Sequence, residues 1–199
     1  MRPREYLSYT QKSLWKKSPA QYKEKYLFEG AKFVTKEMAF GKRMAVALED
    51  DEASGDPLLD LMIAQIPKFE KMEYPVSAEL IIANDRVPLY GQIDTCKIDL
   101  SGFKEYKTGK NGWTQRRVDE DEQITFYATM IYILTKKIPN DIELVWVETK
   151  DGYEVGEIVC TGRIERFRTK RSMGQVINEM ADMKRVWREI GEMCEKELL

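Results

Sequence analysis

This sequence predicts an α/β chain of α+β type, with a central mixed sheet flanked by helices. Three observations carry that reading. Apolar residues recur at helical spacing through the first third and again at the end, the middle switches to the two-residue alternation of strands, and one helical stretch interrupts the strands. With 43% hydrophobic residues in 199 positions, the chain can bury the core of one domain. That domain divides into a helical part over 1–70, a sheet core over 73–168 containing a helix at 119–134, and a closing helix over 172–197.

Each element has a local cause. Residues 10–16 suit a short helix, and Ser18-Pro19 then supplies an N-cap with proline at the first helical position. Across 30–48, Phe33, Val34, Met38, Met44, Val46 and Leu48 follow a roughly helical pattern. An acidic loop over 49–52 leads to Asp56-Pro57, a second cap-plus-proline start, and an apolar helix over 58–66. Residues 74–83 read as a strand, Asn84-Asp85 as a turn and 87–98 as a second strand. Asp99-Leu100-Ser101-Gly102 turns the chain into a third strand over 103–108. A polar loop over 109–117 precedes the helix at 119–134, whose early acids suit its dipole. Residues 142–149 form an apolar strand, and one or two more follow Asp151-Gly152 up to Phe167. The last helix carries Val176, Met180, Met183, Trp187 and Ile190 on one stripe.

Composition narrows the chemistry. There is no histidine, which excludes the common zinc-hydrolase ligand sets and any Ser-His or Cys-His relay. Cys96, Cys160 and Cys194 are odd in number and widely spaced, with no CxxC pair and no disulfide framework. A charged start with no apolar signal core, and no apolar run near the ~20 residues of a membrane span, lead to the expectation of a cytoplasmic protein without membrane partners. Hydrolytic chemistry here has to run on carboxylates, lysine and a hard metal.

Such a set stands in Gly91-Gln92-Ile93-Asp94 and Phe103-Lys104-Glu105-Tyr106-Lys107-Thr108-Gly109-Lys110. Alternation puts Glu105 and Lys107 on one face of a strand and Tyr106 on the other. If Asp99 pairs with Gly102 around a two-residue turn, Asp94 sits across from Lys107, with Glu105 as its diagonal neighbour. Two carboxylates and an ammonium then share one patch. Asp94, Glu105 and the Tyr106 carbonyl could hold Mg²⁺ or Mn²⁺, which acidifies water and screens an oxyanion. Lys107 could orient or deprotonate that water, or stabilise charge on a phosphate. Glu-x-Lys alone is equally a surface salt bridge on a hairpin.

The ordered series from Glu79 to Tyr127 resembles the RecB-type branch of the PD-(D/E)XK nuclease superfamily, which includes Cas4-like exonucleases. The matching elements are Glu79 on the first strand, Gly91 to Asp94, Glu105-Tyr106-Lys107-Thr108-Gly109, and Gln123-Ile124-Thr125-Phe126-Tyr127 on a helix. Gln123 and Tyr127 share a helix face. The segment running from Leu7-Ser8-Tyr9 through Ser18-Pro19 to Tyr26-Leu27 is similar to the family's opening helices. The resemblance implies a restriction-endonuclease-like core, with Asp94, Glu105, Lys107, Gln123 and Tyr127 catalytic and Glu79 a further metal ligand. The family's helix histidine is replaced by Ala45, so Glu79 or Glu49 would have to supplement the ligands. Ser18 stands at the first iron–sulfur cysteine and no C-terminal cysteine triplet follows, so no cluster is expected. The implied activity is a Mg²⁺- or Mn²⁺-dependent deoxyribonuclease, an exonuclease acting on single strands or duplex ends in DNA processing, repair or recombination. An endonuclease of the same superfamily and a non-catalytic nucleic-acid-binding module are the competing readings.

The net charge of −2 does not favour nucleic acid, so local clusters have to. Lys104, Lys107, Lys110, Arg116 and Arg117 surround the proposed site. Arg163, Arg166, Arg168, Lys170 and Arg171 form a second group, and Lys12, Lys16, Lys17, Lys23 and Lys25 a third. DNA contacts are expected from Lys110, Arg116, Arg117, Arg163, Arg166 and Arg168, with Trp113 stacking on an unpaired base.

Overall fold

A computed structural model describes residues 4–28, 34–50, 53–154 and 156–197. Four helices open the chain: α1 (Tyr9–Lys17), α2 (Pro19–Tyr26), α3 (Lys36–Asp50) and α4 (Pro57–Ile63). Both cap-plus-proline starts are realised: the Ser18 hydroxyl accepts from the Gln21 amide at 3.2 Å, and Asp56 caps Leu58 and Leu59 at 3.0 and 3.1 Å. The expected helix at 30–48 starts later and ends later, and its Gly30 and Phe33 lie outside the described residues, as do Asp51 and Glu52 of the acidic loop.

Next come β1 (Lys71–Ile82), β2 (Asp85–Cys96) and β3 (Gly102–Gly109), then α5 (Gln115–Asp119) and α6 (Glu122–Thr135). The chain closes with β4 (Asp141–Asp151), β5 (Ile158–Thr169) and α7 (Met173–Glu197). The five strands lie in the order β1-β2-β3-β4-β5. Only β3 and β4 are parallel, with α5 and α6 as their crossover; the other three pairings are antiparallel, so the sheet is mixed as expected. All six residues from Ile142 to Val147 are buried, because β4 is covered on both faces.

One face holds the larger core. Val76, Leu80, Leu89, Ile93, Leu144 and Trp146 meet α6 and α7, with Trp15 of α1 and Tyr22 of α2 at its edge. The other face packs Val145, Val147, Ile158 and Cys160 against α3 (Phe40, Met44, Leu48) and α4 (Leu59, Met62). Among the described residues no helix is long and apolar enough to cross a membrane.

Two turns differ from expectation, and both move the register. The β1–β2 turn is Ala83-Asn84, since Ile82 pairs with Asp85 and Ala83 takes a left-handed φ of 54°. At the β2–β3 turn, β2 stops at Cys96, which pairs with Phe103, so Asp99 does not pair with Gly102. Residues 97–101 form a longer loop in which Lys97 donates to the Gly102 carbonyl at 3.0 Å, the Asp99 side chain accepts from the Ser101 amide at 2.9 Å, and Leu100 has a φ of 59°. The aspartate's own hydrogen bond folds the loop back and removes it from the strand.

Candidate active site

The corrected registers set the site. Thr95 faces Lys104 and Cys96 faces Phe103, so Asp94 falls opposite Glu105 and not Lys107. The β2–β3 ladder contains those two pairs only. Beyond them the strands part, and the Asp94 carboxylate replaces the missing ladder partner by accepting from the Tyr106 amide at 2.6 Å. A strand residue's amide and carbonyl point to the same side, so the Tyr106 carbonyl also faces this gap. The Tyr106 side chain lies on the α3–α4 face, its hydroxyl donating to the Pro67 carbonyl at 2.8 Å.

Glu105, Lys107 and Gln123 close a triangle. The Glu105 Oε1 accepts from Lys107 Nζ at 2.6 Å and from Gln123 Nε2 at 2.7 Å, while the Gln123 Oε1 accepts from Lys107 Nζ at 2.8 Å. Gln123 can do this because α6 begins beside β3: Asp121 caps it by accepting from the Ile124 amide at 2.8 Å. One turn on, Tyr127 stands beside Gln123 and the Gln92 backbone, and burial followed by the charge of Glu105 raises its pKa. Its ring packs against β2 where Gly91 has no side chain; a Cβ there would stand 2.6 Å from the Tyr127 Cε1. The structure thus brings together Asp94, Glu105, Lys107, Gln123 and Tyr127.

Burial governs the charges. Glu105 is almost wholly enclosed, and desolvation followed by repulsion from Asp94 raises its pKa to about 8, against the pull of Lys107. Desolvation likewise raises Asp94 to about 6, against its bond from the Tyr106 amide and the charge of Lys107. Burial works against the Lys107 ammonium, but Glu105 and Asp94 outweigh it and its pKa is raised. The Glu105 Oε2 is buried without any hydrogen-bond partner, an arrangement that native interiors rarely tolerate in the absence of a ligand.

Glu79 does not join this group. It sits opposite Pro88 near the distal end of the hairpin, half exposed and 3.8 Å from Arg86. Its place is taken by Glu73, which the register sets directly across from Asp94, between the pairs Met72–Thr95 and Tyr74–Ile93. Glu73 adopts a left-handed φ of 44° there, uncommon for a non-glycine residue. Burial raises its pKa, and Glu49 at the end of α3 and Glu105 raise it further. Glu73, Asp94 and Glu105 therefore form a row of acids across three adjacent strands. Counting the hairpin register from Ala83-Asn84 rather than Asn84-Asp85 would have found Glu73 from the sequence.

The donor set suits a small hard cation better than a fully enclosed ion. Among the described residues no three acidic or thiol side chains close on one point. Two carboxylates and a carbonyl remain, which is the sparse oxygen set that Mg²⁺ accepts while retaining water. The unpartnered Glu105 Oε2 is the atom that fits such a ligand.

The expected nucleic-acid contacts are scattered. Arg116 pairs with Glu120 at 3.0 Å, and Lys110 with Asp151 at 2.5 Å. Trp113 is partly buried, and the Arg117 guanidinium stacks 3.7 Å above its ring, which occupies one face of the expected platform. On β5, Arg163 pairs with Glu165 and Arg166 forks onto Glu143 at 2.8 and 3.1 Å, while Arg168 is exposed. Arg171 points inward and is nearly fully buried. Lys12, of the third cluster, is also buried, 2.6 Å from Glu179.

No protein-family model matches this chain, and no curated protein matches it in sequence. The fold is shared with a candidate exonuclease. That crystal structure, from Eubacterium rectale, superposes with a TM-score of 0.57 at 11% identity, covering 94% of this chain and 80% of its own. The crystal structure of SSO0001 covers 94% of this chain and 76% of its own at 11% identity, with a TM-score of 0.48. Candida albicans Rai1 in complex with pU5-Mn²⁺ reaches 0.28 at 13% identity, over 78% and 50%. At such identity the first likeness establishes the fold alone, and the two weaker superpositions add nothing to it.

Proposed function

We propose that this chain is a metal-dependent nuclease of the PD-(D/E)XK type, close to the RecB-like branch, hydrolysing phosphodiester bonds in DNA as an exonuclease. The observation that carries the reading is the Glu105 carboxylate. One oxygen is fully used by Lys107 and Gln123, and the other is buried and unpartnered, on a residue that the register sets opposite Asp94. A hard divalent cation supplies, when bound, an acidified water and relief of charge on the phosphate. Asp94, Glu105 and the Tyr106 carbonyl would hold Mg²⁺ or Mn²⁺, with Glu73, across the register from Asp94, an additional acid. Lys107, kept protonated by its carboxylates, donates rather than accepts: it orients a water or neutralises a phosphate oxygen. Gln123 fixes the ammonium by accepting from it, with Tyr127 beside it one helical turn on.

The test is cleavage of end-labelled linear DNA and closed circular DNA with Mn²⁺ or Mg²⁺. Expected are metal-dependent loss of the linear substrate, survival of the circle, and loss of at least ~100-fold in rate for Glu105→Gln and Lys107→Ala. Cleavage of the circle would turn the reading to an endonuclease. No cleavage by the wild type, or none lost in the variants, would sink it.

A further inference from the structure

We infer that Arg171 is a positioning residue for this active centre: it fixes the corner between α5 and α6 and thereby sets where Gln123 meets Glu105 and Lys107. The inference rests on the nuclease reading above.

Arg171 follows β5 and is 5% exposed, which is unusual for a guanidinium. Its donors go to neutral acceptors on three elements. Nη2 donates to the Val118 carbonyl at the end of α5 (2.9 Å) and to the Asp121 carbonyl at the start of α6 (3.1 Å). Nε donates to the Thr125 hydroxyl in the first turn of α6 at 2.8 Å. Nη1 donates to the Thr169 hydroxyl at 2.7 Å and the Lys170 carbonyl at 3.1 Å, at the end of β5. No carboxylate is in salt-bridge contact with it among the described residues; Asp119 and Asp121 act on it from farther away.

A buried charge that meets only carbonyls and hydroxyls is organising backbone, not neutralising an acid. The backbone it organises is the corner that aims the catalytic helix. Asp119 ends α5 and Glu122 begins α6, so two residues join them and the start of α6 has little slack. Gln123 is the second residue of α6, flanked by the two clamped positions, Asp121 and Thr125. Its triangle with Glu105 and Lys107 is built on bonds of 2.6–2.8 Å, so a shift of the corner is felt there directly. Lysine keeps the charge but lacks the planar fork that reaches all three elements.

The test uses the whole chain with Mn²⁺ and linear DNA, comparing wild type, Arg171→Lys, Thr125→Val, Gln123→Ala and the Arg171→Lys/Gln123→Ala double variant. Expected for Arg171→Lys is a fall in kcat of ~10–100-fold with KM within ~3-fold, the size a small misplacement of a catalytic group produces. Thr125→Val, which removes one of the five bonds, should fall ~3–10-fold and serves if Arg171→Lys does not fold. Because Arg171 acts through Gln123, the double variant should be no more than ~3-fold slower than Gln123→Ala alone. Independently of activity, amide hydrogen exchange over 122–126 should quicken in Arg171→Lys while β3 and β4 stay protected. The inference is overturned if kcat is within ~2-fold of wild type in the folded variants, if the Arg171 and Gln123 losses multiply, or if exchange is unchanged. A wild type that cleaves nothing would remove the nuclease reading and this inference together, whereas an active wild type with indifferent Arg171 variants removes this inference alone.

Discussion

At the scale of single residues, Asp94 has two separable tasks. Its carboxylate replaces a ladder partner for the Tyr106 amide, and it stands next to Glu105, where the proposed function makes it a metal ligand. Asp94→Asn keeps an acceptor for that amide, so stability within ~1 kcal/mol of wild type is expected with cleavage lost. Asp94→Ala leaves a buried amide unpaired, at a cost of about 1–3 kcal/mol in urea unfolding. Equal stability of the two variants would show that the bond is not what closes the gap between β2 and β3. Glu105 makes a second, pH-dependent prediction. Its folded pKa of about 8, and that of Asp94 of about 6, lie above their unfolded values, so the folded chain binds more protons than the unfolded one between about pH 4 and 8. Their contribution is therefore most favourable below that window and is lost as pH rises through it. Glu179, raised to about 7, adds to the same trend, while no histidine titrates there to obscure it. Melting in EDTA should fall from pH 5 to 8, and Glu105→Gln should flatten the slope without abolishing it. Excess Mn²⁺ should oppose the fall in the wild type alone; a parallel slope in wild type and Glu105→Gln would contradict the assigned burial.

At the scale of elements, the contact between β2 and α6 passes through Gly91. Gly91→Ala would drive a methyl into the Tyr127 ring, and with strand backbone on one side and a buried helix on the other, relaxation is limited. A loss of about 1–3 kcal/mol is expected, together with reduced kcat because Tyr127 packs one turn from Gln123 on the same helix; Tyr127→Leu in the same background should relieve the clash but not restore kcat. This contact also explains what was legible in the sequence. Gly91, Asp94, Glu105, Lys107, Gln123 and Tyr127 could be read because strand alternation and the four-residue helix spacing are local rules. The pairing of Asp94, and the register that sets Glu73 across from it, depended instead on where two turns begin, whereas Glu79 came from the family resemblance alone. The Asp99 side chain and the left-handed Ala83 and Leu100 moved those turns, and each moved the register by two residues. A two-residue slip preserves the face of every side chain, so the pattern gave no warning. The inward turn of Arg171 and Lys12 was equally hidden, because a run of cations on the page does not say which of them meets a buried acceptor.

At the scale of the whole molecule, the chain's two ends are joined by a buried charge. Lys12 on α1 is fully enclosed, with Nζ 2.6 and 2.7 Å from the two Glu179 oxygens and 3.1 Å from Asp182, both on α7. Beside it the Trp15 indole donates to Glu189 at 2.8 Å, and Lys16 reaches Glu122 at 2.9 Å, at the first residue of α6. The pair is a weak source of net stability, since desolvating both charges offsets much of their attraction, but breaking it on one side is costly. Lys12→Met leaves Glu179 buried beside Asp182 without its ammonium, and a loss of about 3–5 kcal/mol is expected in urea unfolding at pH 8. Glu179 already binds its proton near pH 7 with the ammonium present. Without Lys12 it protonates more readily still, so the deficit should shrink toward pH 5. Lys12→Met/Glu179→Leu removes both charges and should recover most of the stability at pH 8. A single variant within ~1 kcal/mol of wild type, or a double variant as unstable as the single, would mean that α1 is held by Trp15 and Tyr22 packing instead. Helix α6 reads the outcome too. Glu122 lies one residue before Gln123, so a loosened α1 in Lys12→Met should slow cleavage before the chain unfolds, and Lys12→Met/Glu179→Leu, with Lys16 still on Glu122, should restore it.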